Sequence, residues 1–182
     1  MNETPAGTVL IVYESMFGGT RRIAEAIADG IRATHDVTVT RVADAGNVPD
    51  DVALLVVGGP THAHGLSRPE SRADAATWVA KEEMHLELEP GFDGAGIREW
   101  LKSEPRVTRH AAFDTRADMP RIFTGSAAAG IDKRLTKLGS ERLAEPMSFL
   151  VDRKSHLVPG EIERARGWGV QLAALLSPAA AR

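Results

Sequence analysis

Hydrophobic and polar positions fall into two kinds of block along this chain. Thr8 to Tyr13 reads TVLIVY, a continuous apolar run rich in β-branched residues that predicts a strand buried on both faces of a parallel sheet. Ile23, Ile27 and Ile31 then recur at helical spacing beside Ala24 and Ala28, while Arg22, Glu25, Asp29 and Arg32 take the opposite face. That is the pattern of a helix covering the first strand. From Asp36 to Val42, Val37 and Val39 alternate with Thr38 and Thr40, the period of a strand with one solvated side, as at a sheet edge. Val52 to Gly58 returns to the fully buried pattern.

Gly59 to Leu66 reads as a loop, and the acidic, weakly periodic stretch from Glu70 to Phe92 predicts no definite element. Ile97, Trp100 and Leu101 mark a short helix, and Arg109 to Asp114 a fourth strand. Ser126 can cap a helix that buries Ile131, Leu135 and Leu138 and ends at Gly139. Met147 to Val151 is the fifth strand. The last helix carries Ile162, Ala165, Gly169, Leu172 and Leu176 on one stripe, with Pro159 near its start and Pro178 beyond its end; Pro178 onward reads as a frayed tail. Five alternations of strand and helix predict an α/β fold with a doubly wound five-stranded parallel sheet. Ligands of such sheets sit beyond the carboxyl ends of the strands, which points to Glu14 to Thr20, Gly59 to Arg68, and Thr115 to Ser126.

Composition narrows the function. The 182 residues fit one domain spanning the chain, and 43% hydrophobic against 26% charged residues is a globular balance. A net charge of −3 with scattered Lys and Arg leaves no nucleic-acid footprint. With no Cys, any redox function must come from a bound cofactor. Met1 to Gly7 lacks the marks of a signal peptide and no apolar stretch would span a bilayer, so no membrane partner and a cytoplasmic location are expected.

Between the first strand and first helix stands Ser15-Met16-Phe17-Gly18-Gly19-Thr20. Two glycines let the backbone turn sharply, so that successive N–H groups and the helix start can converge on one anion. Ser15 and Thr20 add hydroxyls, and Thr20 also reads as a helix cap. Neither GxxxxGK[ST] nor GxGxxG is present, so triphosphate and dinucleotide cradles match poorly and a single terminal phosphate fits better.

Here the sequence resembles the flavodoxin family, in which a strand followed by [ST]-x-T-G-x-T and a helix holds the phosphate of FMN. Ser15, Gly18 and Thr20 match that pattern, whereas Phe17 replaces its second hydroxyl and Gly19 the more usual Asn or Thr. GGPTHAHG after the third strand looks like the flavin-ring loop of flavodoxin-like proteins. The resemblance implies strand order 2-1-3-4-5, FMN as cofactor, and contacts to it from Ser15, Met16, Phe17, Gly18, Gly19, Thr20, Pro60, Thr61, His62, Ala63, His64, Gly65, Thr115 and Arg116. A response regulator shares the topology, but the third strand ends in Gly58 and Gly59 with no Asp to receive a phosphoryl group.

Flavin rings are usually flanked by planar side chains, and the expected loops hold neither Trp nor Tyr. His62, His64, Phe113, Met119 and Phe123 are the available groups; each His could equally be an exposed loop residue, and no metal is assigned to them. Trp100 and Trp168 read as packing residues on amphipathic helices, and Trp78 also as packing rather than cofactor contact. Arg21 and Arg22 sit where the helix dipole disfavours cations unless an anion offsets them; swinging into solvent is the competing reading. Glu82, Glu83, Glu87 and Glu89 read as a solvated face. GxSxG is absent, so hydrolase chemistry is unsupported.

Two redox readings follow from the resemblance, with a third outside redox chemistry. The chain acts in electron transfer with protein redox partners; or it is an FMN-dependent oxidoreductase passing electrons from a nicotinamide cofactor, NAD(P)H, to a small acceptor such as a quinone; or it is a binding module without FMN. Arg68, Arg72, Arg116 and Arg121, all in or beside the expected ring loops, would raise the flavin potential or attract an anionic substrate.

Overall fold

A computed structural model describes residues 7–177; the expected tail from Pro178 lies outside the described residues. In chain order the elements are β1 (Thr8–Tyr13), α1 (Gly19–Ile31), β2 (Val37–Arg41), β3 (Val52–His62), β4 (Gly65–Leu66), α2 (Pro69–Val79), α3 (Ile97–Trp100), β5 (Arg109–Ala117), α4 (Arg121–Thr124), α5 (Ala127–Lys137), β6 (Glu141–Arg142), β7 (Met147–Val151) and α6 (Glu161–Leu176). The main sheet is parallel with order β2-β1-β3-β5-β6, the expected five positions 2-1-3-4-5. Its outermost position is shared: Arg109 and His110 pair with Glu141 and Arg142, and Phe113 to Ala117 pair with Met147 to Val151. The fifth strand therefore starts earlier than Met147 and is broken before it, where Pro146 has no N–H to give a ladder. Among the described residues no helix is long and apolar enough to cross a membrane.

Alternate residues of each central strand feed two cores, as the period of two requires. Val9, Ile11, Leu54, Val56 and Phe113 pack with Ile23, Ile27 and Ile31 of α1 and Trp168 and Leu172 of α6. Leu10, Val12, Leu55, Val57 and Ala112 meet Ile97, Trp100, Ile131 and Leu135 on the other face. Phe113, Phe149 and Trp168 form an edge-on cluster with centroids 6.2 to 6.5 Å apart. Phe113 is thus fully buried and is no candidate for a flavin ring. A Cβ on Gly58 would run into its ring, so that glycine serves the core.

At the amino end of β5, far along the strand from the expected ligand loops, His110 is fully buried. Its Nδ1 meets Ser140 Oγ at 2.9 Å and its Nε2 meets Asp132 Oδ1 at 3.1 Å. These three residue types could suggest a hydrolytic site, but Ser140 is only 5% exposed, and the arrangement ties α5 to the sheet. Burial pushes the His110 pKa below its usual value despite the opposing Asp132 hydrogen bond and charge. The folded protein consequently binds fewer protons than the unfolded chain below about pH 6.5. His110 thus contributes its full stability above that pH and loses it as the pH falls, by up to ~1.4 kcal/mol per pH unit until the folded group itself titrates. Urea unfolding at pH 7.5 and 5.5 should show His110→Gln losing less stability than the parent over that interval.

Candidate functional site

Three strand ends converge on one cleft of about 410 Å³. β1 delivers the loop 15–20 to it, β3 delivers Pro60, Thr61, His62 and Ala63, and β5 delivers Thr115, Arg116 and Ala117. A space of this size at the carboxyl ends of neighbouring strands is where doubly wound sheets bind ligands.

The loop closes on itself before any ligand is considered. Gly18 has φ 85°, in the left-handed region, and stands at the N-cap of α1 without a side-chain cap. Its N–H donates to Ser15 Oγ at 3.1 Å, leaving the Ser15 hydroxyl proton free for an acceptor. No hydrogen bond among the described residues reaches the amides of Gly19 and Thr20, two of the donors that a helix start leaves open. No acidic residue lies in the first turn, so these donors are not answered from within the helix. Thr20 is the second residue of α1 rather than its cap; its buried Oγ1 lies 2.8 Å from Thr115 Oγ1, joining the β1 and β5 ends of the cleft. The anion-holding fit is therefore good: open amides and a hydroxyl donor stand at one cleft, on a loop turned by a left-handed glycine.

The segment expected to be a loop after β3 is a hairpin instead. Thr61 pairs with Leu66 and His62 with Gly65, and the turn is made by Ala63 and His64 at φ 43° and 73°, conformations more usual for Gly or Asn. Buried Asp114 anchors it: Oδ2 accepts from Thr61 Oγ1 at 3.0 Å, Ser126 Oγ at 2.7 Å and Ala128 N at 2.9 Å. Thr61 Oγ1 in turn accepts from Ala127 N at 2.8 Å. Ser126 also caps α5 as expected, accepting from Ala129 N at 3.1 Å. Burial pushes the His62 pKa below its usual value, favouring a neutral ring at the cleft.

Of the fourteen positions named from the resemblance, eleven line the cleft; Gly18, His64 and Gly65 do not. Gly18 shapes the loop from behind, and His64 bridges to Gly125 at the hairpin tip. Met119 and Phe123 are exposed and do not line the cleft. A whole wall escaped the sequence reading: α2, from the segment assigned no element, presents Ser71, Asp74, Ala75 and Trp78 to the cleft. Trp78 is 40% exposed, so it is a cleft residue and not a packing residue as expected. The loop after β7 adds Asp152, Arg153 and Ser155.

The expected group of four arginines is dispersed. Arg72 is buried, donating to Ser67 Oγ at 2.9 Å and pairing with Glu99 at 2.9 Å. Ser67 and the Ile97 amide both donate to the buried carboxylate of Glu14, so this network fixes the start of α2 to β1 and α3. Arg68 and Arg121 are exposed and do not line the cleft. Arg116 does line it, with Nη1 donating to Met119 O at 2.7 Å. Glu89 also departs from its expected solvated place, since it pairs with Arg21 at 3.0 Å.

Comparison with known proteins agrees with the fold. Residues 11–94 match the flavodoxin family model. No curated protein matches the sequence. Among solved structures, a flavodoxin from the domain Archaea superposes with TM-score 0.61 at 19% identity, covering 93% of this chain and 98% of that one. Oxidised flavodoxin 1 from Bacillus cereus gives TM-score 0.65 at 17% identity over 93% and 99% of the two chains. A flavodoxin, WrbA-like protein from Agrobacterium tumefaciens gives 0.53 at 18% identity over 93% and 97%.

Proposed function

We propose that this chain, a flavodoxin-family sequence over residues 11–94 with a flavodoxin-like fold, binds FMN in the cleft and acts in electron transfer with a protein redox partner. One observation carries the reading: the glycine-turned loop 15–20 opens its unpaired amides and the start of α1 at one end of a cleft whose other walls are hairpin backbone and a tryptophan. Ser15, Met16, Phe17, Gly18, Gly19 and Thr20 hold the phosphate in this account. Pro60, Thr61, His62, Ala63, His64, Gly65, Thr115 and Arg116 form the ring end, and Trp78 of α2 supplies the Trp or Tyr that the loops lack. FMN contributes the electron-carrying chemistry when bound; the protein contributes position and surroundings. Beside the Arg116 wall, Met119, Ile122 and Phe123 are 53%, 83% and 64% exposed, an apolar rim that suits contact with another protein.

The α2 wall favours a second reading, an FMN-dependent enzyme taking electrons from NAD(P)H to a small acceptor such as a quinone. Ser71 and Asp74 give the cleft polar groups beyond those of the three strand ends, as a substrate would use. Steady-state oxidation of NADH and NADPH by the FMN-loaded protein, with and without a soluble quinone, separates the two. A carrier shows no sustained turnover; sustained quinone-dependent turnover replaces the first reading by the second.

A further inference from the structure

We propose that Glu89 is a specificity-determining residue beside the loop: an internal carboxylate whose charge, from behind the loop, opposes a bound phosphate at the cationic start of α1. The proposal rests on the FMN reading of the cleft. Glu89 comes from the segment between α2 and α3, and its N–H donates to Met16 O at 2.8 Å, fixing it to the loop backbone. Its two carboxylate oxygens lie 3.0 and 3.2 Å from Arg21 Nε. Glu89 Oε1 also stands 3.0 Å from where a Cβ on Gly18 would be. The segment is held on either side, by Arg41 Nη1 donating to Pro90 O at 2.6 Å and by His156 Nε2 at 3.2 Å from His85 O. The carboxylate is therefore placed against the loop, and its side chain is only 16% exposed, which limits screening by salt.

The charges decide the direction of the effect. α1 starts with no acidic residue of its own, a site where a negative charge is stabilising; Glu89 supplies that charge from a distant part of the chain. Arg21 gives Nε to Glu89 and Nη1 to Glu25, so one cation faces two carboxylates and the trio carries a net charge of −1. A phosphate monoester carries about −1.5 to −2 at neutral pH. Neither Glu89 nor Arg21 lines the cleft, so this net negative charge acts on the phosphate from behind the loop. Like charge at that short range weakens the hold on the phosphate. Removing the Glu89 charge should therefore tighten binding of a phosphorylated flavin and leave an unphosphorylated flavin unchanged.

The test is titration of the cofactor-free full chain with FMN and with riboflavin, for the parent, Glu89→Gln and Glu89→Ala. The expected result is FMN binding tighter by about tenfold in both variants at low salt, the size of one poorly screened charge interaction, with riboflavin affinity unchanged. Unchanged or weaker FMN binding overturns the proposal, as does equal tightening of both flavins, which would indicate a general change in the cleft. If no protein binds either flavin, the FMN reading itself fails and inorganic phosphate becomes the probe. Tighter phosphate binding by Glu89→Gln then upholds the opposing carboxylate, and equal or absent binding overturns it.

Discussion

Gly169→Ala is expected to destabilise the protein by at least ~3 kcal/mol, whereas Gly167→Ala, two residues earlier in the same helix, is expected to stabilise it by up to ~1 kcal/mol. At Gly169 an added Cβ would run into the backbone carbonyl of Ile27, and on the facing helix a Cβ on Gly30 would run into the carbonyl of Arg166. The two backbones touch where α1 crosses α6, and neither obstacle is a side chain that could rotate away. The helices must separate, loosening the contacts of Ile23, Ile27, Trp168 and Leu172 in the core they share. At Gly167 nothing lies within 4 Å of the added atom, so only the better helix propensity of alanine remains. Urea denaturation of the two variants should give shifts of opposite sign. Similar small shifts in both would mean that α1 and α6 do not approach as closely as described.

Gly18→Val is expected to weaken FMN binding at least ~100-fold, equivalent to about 2.7 kcal/mol. Gly18 holds φ at 85°, a conformation costly for a residue with a Cβ and worse for a β-branched one. The new side chain would also crowd Glu89, 3.0 Å away. Relieving both means rotating the turn, which redirects the Gly19 and Thr20 amides away from the anion. Gly46→Val is the control, because nothing lies within 4 Å of a Cβ there and its FMN affinity should match the parent. Equal affinities for Gly18→Val and the parent, with the variant folded, would remove the loop from the site.

The parts legible in the sequence are those whose neighbours are apolar on every side or on one regular stripe. β1 and α1 show this well: TVLIVY is buried from Val9 to Tyr13, and Ile23, Ile27 and Ile31 lie where their spacing places them. α2 was illegible for a physical reason. It packs little against the core, burying only Arg72 and Ala75, and its remaining faces meet the cleft or solvent, so it has no apolar stripe to read. The available signal was different: Pro69 at the helix start, then Ser71, Asp74, Ala75 and Trp78 spaced to share one face. The β3–β4 hairpin was hidden because Ala63 and His64 are not residues that announce a left-handed turn, and it is held from outside by Asp114 and Gly125. Pairings such as Arg72 with Glu99 and Arg21 with Glu89 join residues 27 and 68 positions apart. Local patterns carry no information about contacts of that range, which is why a cluster of arginines around the ring was expected and is not found.

FMN binding in the cleft at the ends of β1, β3 and β5 is tested by the visible absorption spectrum of the purified full chain after incubation with FMN and removal of the excess, followed by denaturation and identification of what is released. A yellow protein with perturbed flavin bands and one FMN released per chain is the expected result. A colourless protein that takes up no FMN would contradict it.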